Sequence, residues 1–256
     1  MVPPATNTRL IHAAAKAGVA YVMPNCFGVD LTNQALSEGI FYGALVRADV
    51  AEIEKLGVSC WIAVVSGLWY EYSLAMGPEW FGFDFTAKRL TYYDDGNTKI
   101  NVTTWEQTAR ALAALLGLKE LPFDEDDTSP TVSTWRNKPL YISSFLLSQR
   151  DMFASWKRVS GDKDEDWTID HEPVQERYKR GVAEMQNGSV QGRAVAMFSR
   201  VFFPNGDGNH EDKHGLANSL LGLPREDLDE RTKVAKDMIA NNFSEFVRRK
   251  TYLGDS

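Results

Sequence analysis

Apolar positions along the chain change twice from a helical spacing to a continuous run, each time across a glycine. Residues 6–17 read as a helix that stops at Gly18-Val19 and passes into Ala20-Tyr21-Val22-Met23-Pro24. Gly43–Leu56 repeats the move, stopping at Gly57-Val58 and passing into Ser59-Cys60-Trp61-Ile62-Ala63-Val64-Val65. A glycine just past a helix end takes the left-handed turn that reverses the chain. The short β-branched run after it suits a strand covered on both faces. Two such units in succession predict a parallel sheet flanked by helices.

The rest of the pattern is mixed. Residues 90–93 and 99–102 flank Asp94-Asp95-Gly96-Asn97, which predicts a hairpin. Thr103 or Thr104 caps a helix to Leu116 with Ala111, Leu112, Leu115 and Leu116 as its apolar stripe. Residues 122–130 form a polar loop. Short strands follow at 140–143 and 167–171, with helices at 144–159, 173–187, 190–203 and 225–247. Ligands of open parallel sheets bind at strand carboxyl ends. That rule singles out residues 24–30 and 66–70, which are expected side by side at one edge of the sheet.

Composition narrows the class. At 256 residues and 43% hydrophobic, the chain can bury a sizeable core. A formal net charge of -7 argues against nucleic acid as a direct partner. Cys26 and Cys60 read as reduced core thiols of an intracellular protein. No signal peptide and no apolar run near the roughly 20 residues of a membrane span are visible. The expectation is a cytoplasmic protein with no membrane contact.

Several chemistries are absent from the pattern. Gly206-Asp207-Gly208 follows no strand and has Glu211 where a third glycine would stand. There is no Walker loop, no G-x-S-x-G elbow, and no Tyr four residues before a Lys; Tyr42 has Val46 there. His210 and His214 have a spacing that could chelate a metal, but no further cluster completes a site, so an ordered surface loop is preferred and no metal is expected. His12 reads as structural. His171 admits two readings, a proton donor or a satisfied strand-end histidine. The dense aromatic stretch from Trp69 to Phe85 reads mainly as core, with Ser66, Trp69 and Tyr70 as candidate substrate contacts beside a strand end.

Ala5-Thr6-Asn7-Thr8-Arg9-Leu10-Ile11 through Ala17-Gly18-Val19, with Pro24-Asn25-Cys26-Phe27-Gly28, resembles the middle of NmrA-like, isoflavone-reductase-like proteins. There a helix ending in A-G-V leads through a strand to P-S-E-F-G. Ile53-Glu54-Lys55-Leu56-Gly57-Val58 matches the next helix and strand, and residues 137–151 and 201–224 look most like fungal members. The resemblance implies an N-terminally incomplete Rossmann-like α/β core over residues 1–118 and a smaller α+β substrate lobe over 119–256, the two interleaved. It also implies NADP(H) or NAD(H) as cofactor, with Pro24, Asn25 and Phe27 at the cofactor, and a reductase acting on a small aromatic or secondary-metabolite substrate.

Two departures from the family are visible. Its glycine-rich loop, which seats a pyrophosphate at a helix N-terminus, is not found. Its catalytic lysine falls at Val46. Arg47 is adjacent, but one residue rotates a side chain by about 100° round a helix, and Tyr42 or His171 is the other candidate for that role. The alternatives are therefore a catalytically silent NAD(P)-sensing protein with a protein partner, or a truncated pseudoenzyme.

Overall fold

The computed structural model describes residues 4–250, and side chains from residue 6 onward. In chain order come α1 (Pro4–Lys16), β1 (Tyr21–Val22), α2 (Gln34–Gly39), α3 (Gly43–Leu56) and β2 (Cys60–Val65). Next are β3 (Leu68–Trp69), α4 (Tyr70–Ala75), α5 (Pro78–Phe81), β4 (Phe83–Asp84), β5 (Arg89–Tyr93), β6 (Ile100–Thr103) and α6 (Trp105–Leu116). After them come β7 (Lys138–Tyr141), β8 (Phe145–Leu147), α7 (Gln149–Ser160) and β9 (Thr168–Glu172). Helices α8 (Val174–Gln186), α9 (Val190–Val201), α10 (His210–His214), α11 (Leu228–Ala240) and α12 (Phe243–Arg248) follow.

These elements group into two compact units interleaved along the chain. The first takes the described residues of Met1–Gly67 with Glu106–Ser143 and His210–Pro224. The second takes Leu68–Trp105, Ser144–Asn209 and the described residues of Arg225–Ser256, more of the chain than the first. Residue 118 lies inside the first unit and is not a border.

In the first unit both glycine stops form as expected, Gly18 at φ 69° and Gly57 at φ 66°. The Gly57 N–H turns back to the carbonyls of Ile53 and Glu54 and ends α3. The strands it releases form a parallel sheet in the order β1-β2-β7. β1 is shorter than the apolar run suggested, only Tyr21–Val22 pairing with β2. Ile62 and Val64 of β2 pack with Ala111 and Leu115 of α6 and with Trp135, Leu140 and Ile142. Each fully buried Ile or Leu contributes roughly 1.5–3 kcal/mol. Leu116 departs from its predicted stripe and is 70% exposed, because it sits one position beyond the inward face. Helices α1 and α3 pack together and are tied by His12 to Glu52 at 2.8 Å, so His12 is structural.

The second unit holds two three-stranded sheets, β3-β6-β8 and β4-β5-β9. The hairpin predicted around Asp94–Asn97 is corrected: β5 and β6 belong to different sheets. A turn does form, with Gly96 N–H on the Tyr93 carbonyl. However, Asp94 is bound elsewhere: its N–H goes to the Glu172 carbonyl and its carboxylate takes the Val174 N–H at 3.0 Å. The turn thus anchors β9 and the start of α8, and β5 pairs with β9 in parallel.

Two helix expectations are also corrected. The segment after Ser144 begins as β8, because Ser148 and Asp151 form a capping box that starts α7 only at Gln149. The terminal helix is broken between α11 and α12 by Asn242, at φ 54°. The aromatic stretch is core for most members: Phe81 and Phe83 are fully buried, with Phe81 edge-on to Phe198 and Phe202. Gly181 and Gly192 let α8 and α9 approach closely, since a Cβ on Gly181 would stand 2.5 Å from the Ala196 nitrogen.

Candidate functional site

The first unit presents three strand ends in one row. Gly28 bridges Val65 in parallel, and Val65 is in register with Tyr141 at the end of β7. The N–H groups of Ser66 and Gly67 both donate to the Gly28 carbonyl at 2.9 Å. The loops after β1 and β2 therefore lie together at the carboxyl edge as far as Gly67, as the repeated unit predicted.

Just beyond that row is a polar cluster. Asp30 is 4% exposed, and its Oδ1 accepts from the Thr32 N–H at 2.9 Å and the Thr32 hydroxyl at 2.6 Å. Its Oδ2 lies 3.3 Å from the Tyr141 hydroxyl, which donates to it, and 3.4 Å from His214 Nε2. The His214 ring stacks on Tyr141, with centroids 4.5 Å apart and planes at 10°. His210, one turn earlier on α10, donates from Nε2 to the Ile142 carbonyl at 3.1 Å.

Burial, reinforced by the Asp30 carboxylate, pushes the Tyr141 phenol up to about 12, so it stays a neutral donor. Burial pushes His210 down to about 4, leaving it uncharged at neutral pH. His214 is different, since its side chain is 39% exposed while its partner Asp30 is 5% exposed. A carboxylate fixed by Thr32 thus orients an accessible imidazole, which is an arrangement able to move a proton. Both histidines direct Nε2 at protein oxygens, His210 at the Ile142 carbonyl and His214 at Asp30. Among the described residues no group of three or more His, Cys, Asp or Glu is placed to hold an ion.

The residues expected from sequence fare unevenly. Pro24 is buried, Asn25 is exposed, and Phe27 packs against the core of the first unit. Of these three side chains only that of Asn25 is exposed. Val46 is 7% exposed on α3. Arg47 donates to the Ser37 hydroxyl at 2.9 Å and lies 3.6 Å from Glu38, so it is committed to α2. Tyr42 precedes α3 as its N-cap residue. Ser66 is fully buried at the strand end.

Trp69 and Tyr70 belong to the second unit. Trp69 meets Tyr72 and Trp105 edge-on. Tyr70 is corrected to a core residue: it is fully buried, edge-on to Phe145, with its hydroxyl 2.7 Å from Thr232. His171, also in the second unit, places Nδ1 2.8 Å from the Asp94 carbonyl and is the satisfied strand-end histidine. Both cysteines are free, and Cys26 is pushed up to about 12 by burial, with Asp49 adding to it. Sequence reasoning passed over Asp30 and Tyr141. The Asp30-Leu31-Thr32 spacing is a legible turn signal, but nothing local joins it to β7 or α10.

At the described edge a Cβ built on Gly28 would meet nothing within 4 Å, and Asn25 is exposed. Among the described residues no glycine-rich strand-to-helix turn offers a seat for a pyrophosphate.

No family model matches the chain. It is 24% identical over 225 residues to the oxidoreductase aprR of Aspergillus flavus, covering 86% of this chain and 69% of that protein. The solved structure of an isoflavone reductase superposes with a TM-score of 0.64 at 17% identity, covering 90% of this chain and 71% of the other. The binary complex of leucoanthocyanidin reductase from Vitis vinifera with NADPH gives 0.60 at 15% identity, covering 93% and 76%. No described helix is long and apolar enough to cross a membrane. The chain has the Rossmann-like fold that these reductases share.

Proposed function

We propose that the protein is a nicotinamide-dependent reductase of a small, aromatic or secondary-metabolite substrate, of the NmrA-like, isoflavone-reductase-like kind. The observation that carries this reading is the aligned row Gly28, Val65 and Tyr141, with Asp30 and His214 beyond it. Parallel α/β sheets take their ligands at that edge. The likeness to reductases, one of them solved with NADPH, supports the class of cofactor. Asn25 and the backbone from Pro24 to Gly28 would hold the cofactor. The bound cofactor supplies a hydride; this chain's residues position the substrate and manage the proton. The net charge of -7 supports a small-molecule partner over nucleic acid, and a cytoplasmic setting accompanies the reading.

A second reading, a silent dinucleotide sensor acting through a protein partner, is favoured by buried Val46, which can neither donate a proton nor polarise a carbonyl. NADPH oxidation by the full-length protein against small aromatic ketones and enones separates the two. Substrate-dependent oxidation supports the reductase. NADPH binding without oxidation supports the sensor, and neither binding nor oxidation removes both.

A further inference from the structure

Val46 can give no proton from the position where the resembling reductases carry a lysine, yet a reductase that delivers hydride to carbon must also protonate the neighbouring atom. We propose that His214, held by Asp30 and stacked on Tyr141, is the proton donor of this site. The inference rests on the reductase reading and names a group within it.

Several groups beside this edge carry no proton to give or are engaged elsewhere. Val46 carries no proton, and Arg47 is tied to Ser37 and Glu38. His210 is 3% exposed and spends its Nε2 proton on Ile142. Tyr141 directs its hydroxyl at Asp30 and is held far from the neutral range. Of the two histidines beside this edge, His214 is the one that combines an accessible ring with a buried carboxylate at 3.4 Å. Imidazole is also the side chain that changes charge near neutral pH.

The geometry assigns a role to each neighbour. Thr32 makes two hydrogen bonds to one oxygen of Asp30, which leaves the other for His214 and Tyr141. With Nε2 directed at Asp30, Nδ1 is the ring atom left to give a proton. Tyr141, parallel to the ring at 4.5 Å, fixes the plane in which Nδ1 points. The charged or titratable groups facing His214 are Asp30 from the loop after β1, Tyr141 from β7 and His210 from its own helix. Glu211, Asp212 and Lys213 complete that helix.

The step balances without a further reactant. Hydride from a reduced nicotinamide forms the new C–H bond at an unsaturated carbon. The π pair moves to the carbonyl oxygen, which takes the Nδ1 proton. His214 becomes neutral imidazole and is reprotonated by water at its exposed edge.

The test measures kcat and KM across pH for full-length wild type, His214→Gln and Asp30→Asn, together with NADPH binding by fluorescence quenching. His214→Gln should lower kcat by about 10²–10⁴-fold and abolish the alkaline limb of its profile, with NADPH affinity unchanged. Asp30→Asn, a positioning variant, should lower kcat with KM and NADPH affinity little changed. In NMR spectra of the unliganded protein the His214 ring signals should move in Asp30→Asn, because the carboxylate no longer holds the ring. Wild-type turnover that survives His214→Gln with its alkaline limb intact overturns this inference alone. Wild type that neither binds nor oxidises NADPH overturns the reductase reading and the inference with it.

Discussion

Tyr141 and His214 lie face to face, 4.5 Å between ring centroids and 10° between planes, although one ends a sheet strand and the other ends a short helix. Their common partner, Asp30, follows a different strand. The site is therefore a product of tertiary packing within the first unit.

Glu71 offers a test through pH. It is 3% exposed and burial, with the Glu226 carboxylate adding to it, pushes its carboxyl up to about 7. The folded chain therefore holds this proton more tightly than the unfolded one. Stability should fall as pH rises from the ordinary carboxylate range to about 7, and level off above it. The loss is of order 3 kcal/mol. Glu71→Gln, which keeps the shape and stays neutral, should flatten this fall and be the more stable protein at pH 8, as read by urea unfolding. An unchanged slope would contradict the assignment.

Gln149 should be indispensable to the second unit. It is fully buried, its Oε1 accepts from the Tyr93 N–H at 2.7 Å, and its Nε2 donates to the carbonyls of Phe81 and Thr91. Gln149→Leu strands three buried backbone groups, each costing about 1–3 kcal/mol. Thermal unfolding should show either a large drop in Tm or no folded protein. A Tm equal to wild type would mean water or a neighbour replaces these bonds.

The close approach of α8 and α9 predicts a cost for a single methyl group. In Gly181→Ala the added carbon would stand against the Ala196 nitrogen at 2.5 Å and the Gly192 carbonyl at 2.9 Å, both backbone atoms that cannot swing away. Overpacking of this kind costs about 1–3 kcal/mol, to be read from the denaturation midpoint. Stabilisation by the better helix former would show that the helices separate easily.

Tyr70→Phe distinguishes a core residue from a pocket wall. Loss of the hydrogen bond to Thr232 should lower stability by about 1 kcal/mol. Substrate KM should not move, and a changed KM with unchanged stability would return Tyr70 to the substrate.

What the sequence made legible were features written within a few residues. Gly18 and Gly57 marked helix ends because only the left-handed turn follows there without strain. β2 was legible because it is apolar on both faces. The hairpin failed because Asp94 spends its N–H and carboxylate on Glu172 and Val174, a commitment invisible at short range. β8 was missed since Phe145-Leu146-Leu147 suits a helix as well as a strand, and only the Ser148–Asp151 box decides the boundary. The loops at the sheet edge were found from topology. The Asp30–Tyr141 contact spans 111 positions and left no local trace.

The central claim is that the edge formed by Gly28 and Val65 receives the ring of a nicotinamide cofactor. Gly28→Leu fills the open space there without meeting any atom within 4 Å at Cβ and without a left-handed backbone to strain. NADPH affinity of the full-length protein, measured by calorimetry beside Tm, is the direct test. The account predicts at least a tenfold loss of affinity, which is about 1.4 kcal/mol, with Tm unchanged. Wild-type affinity in Gly28→Leu would contradict it and place the cofactor elsewhere.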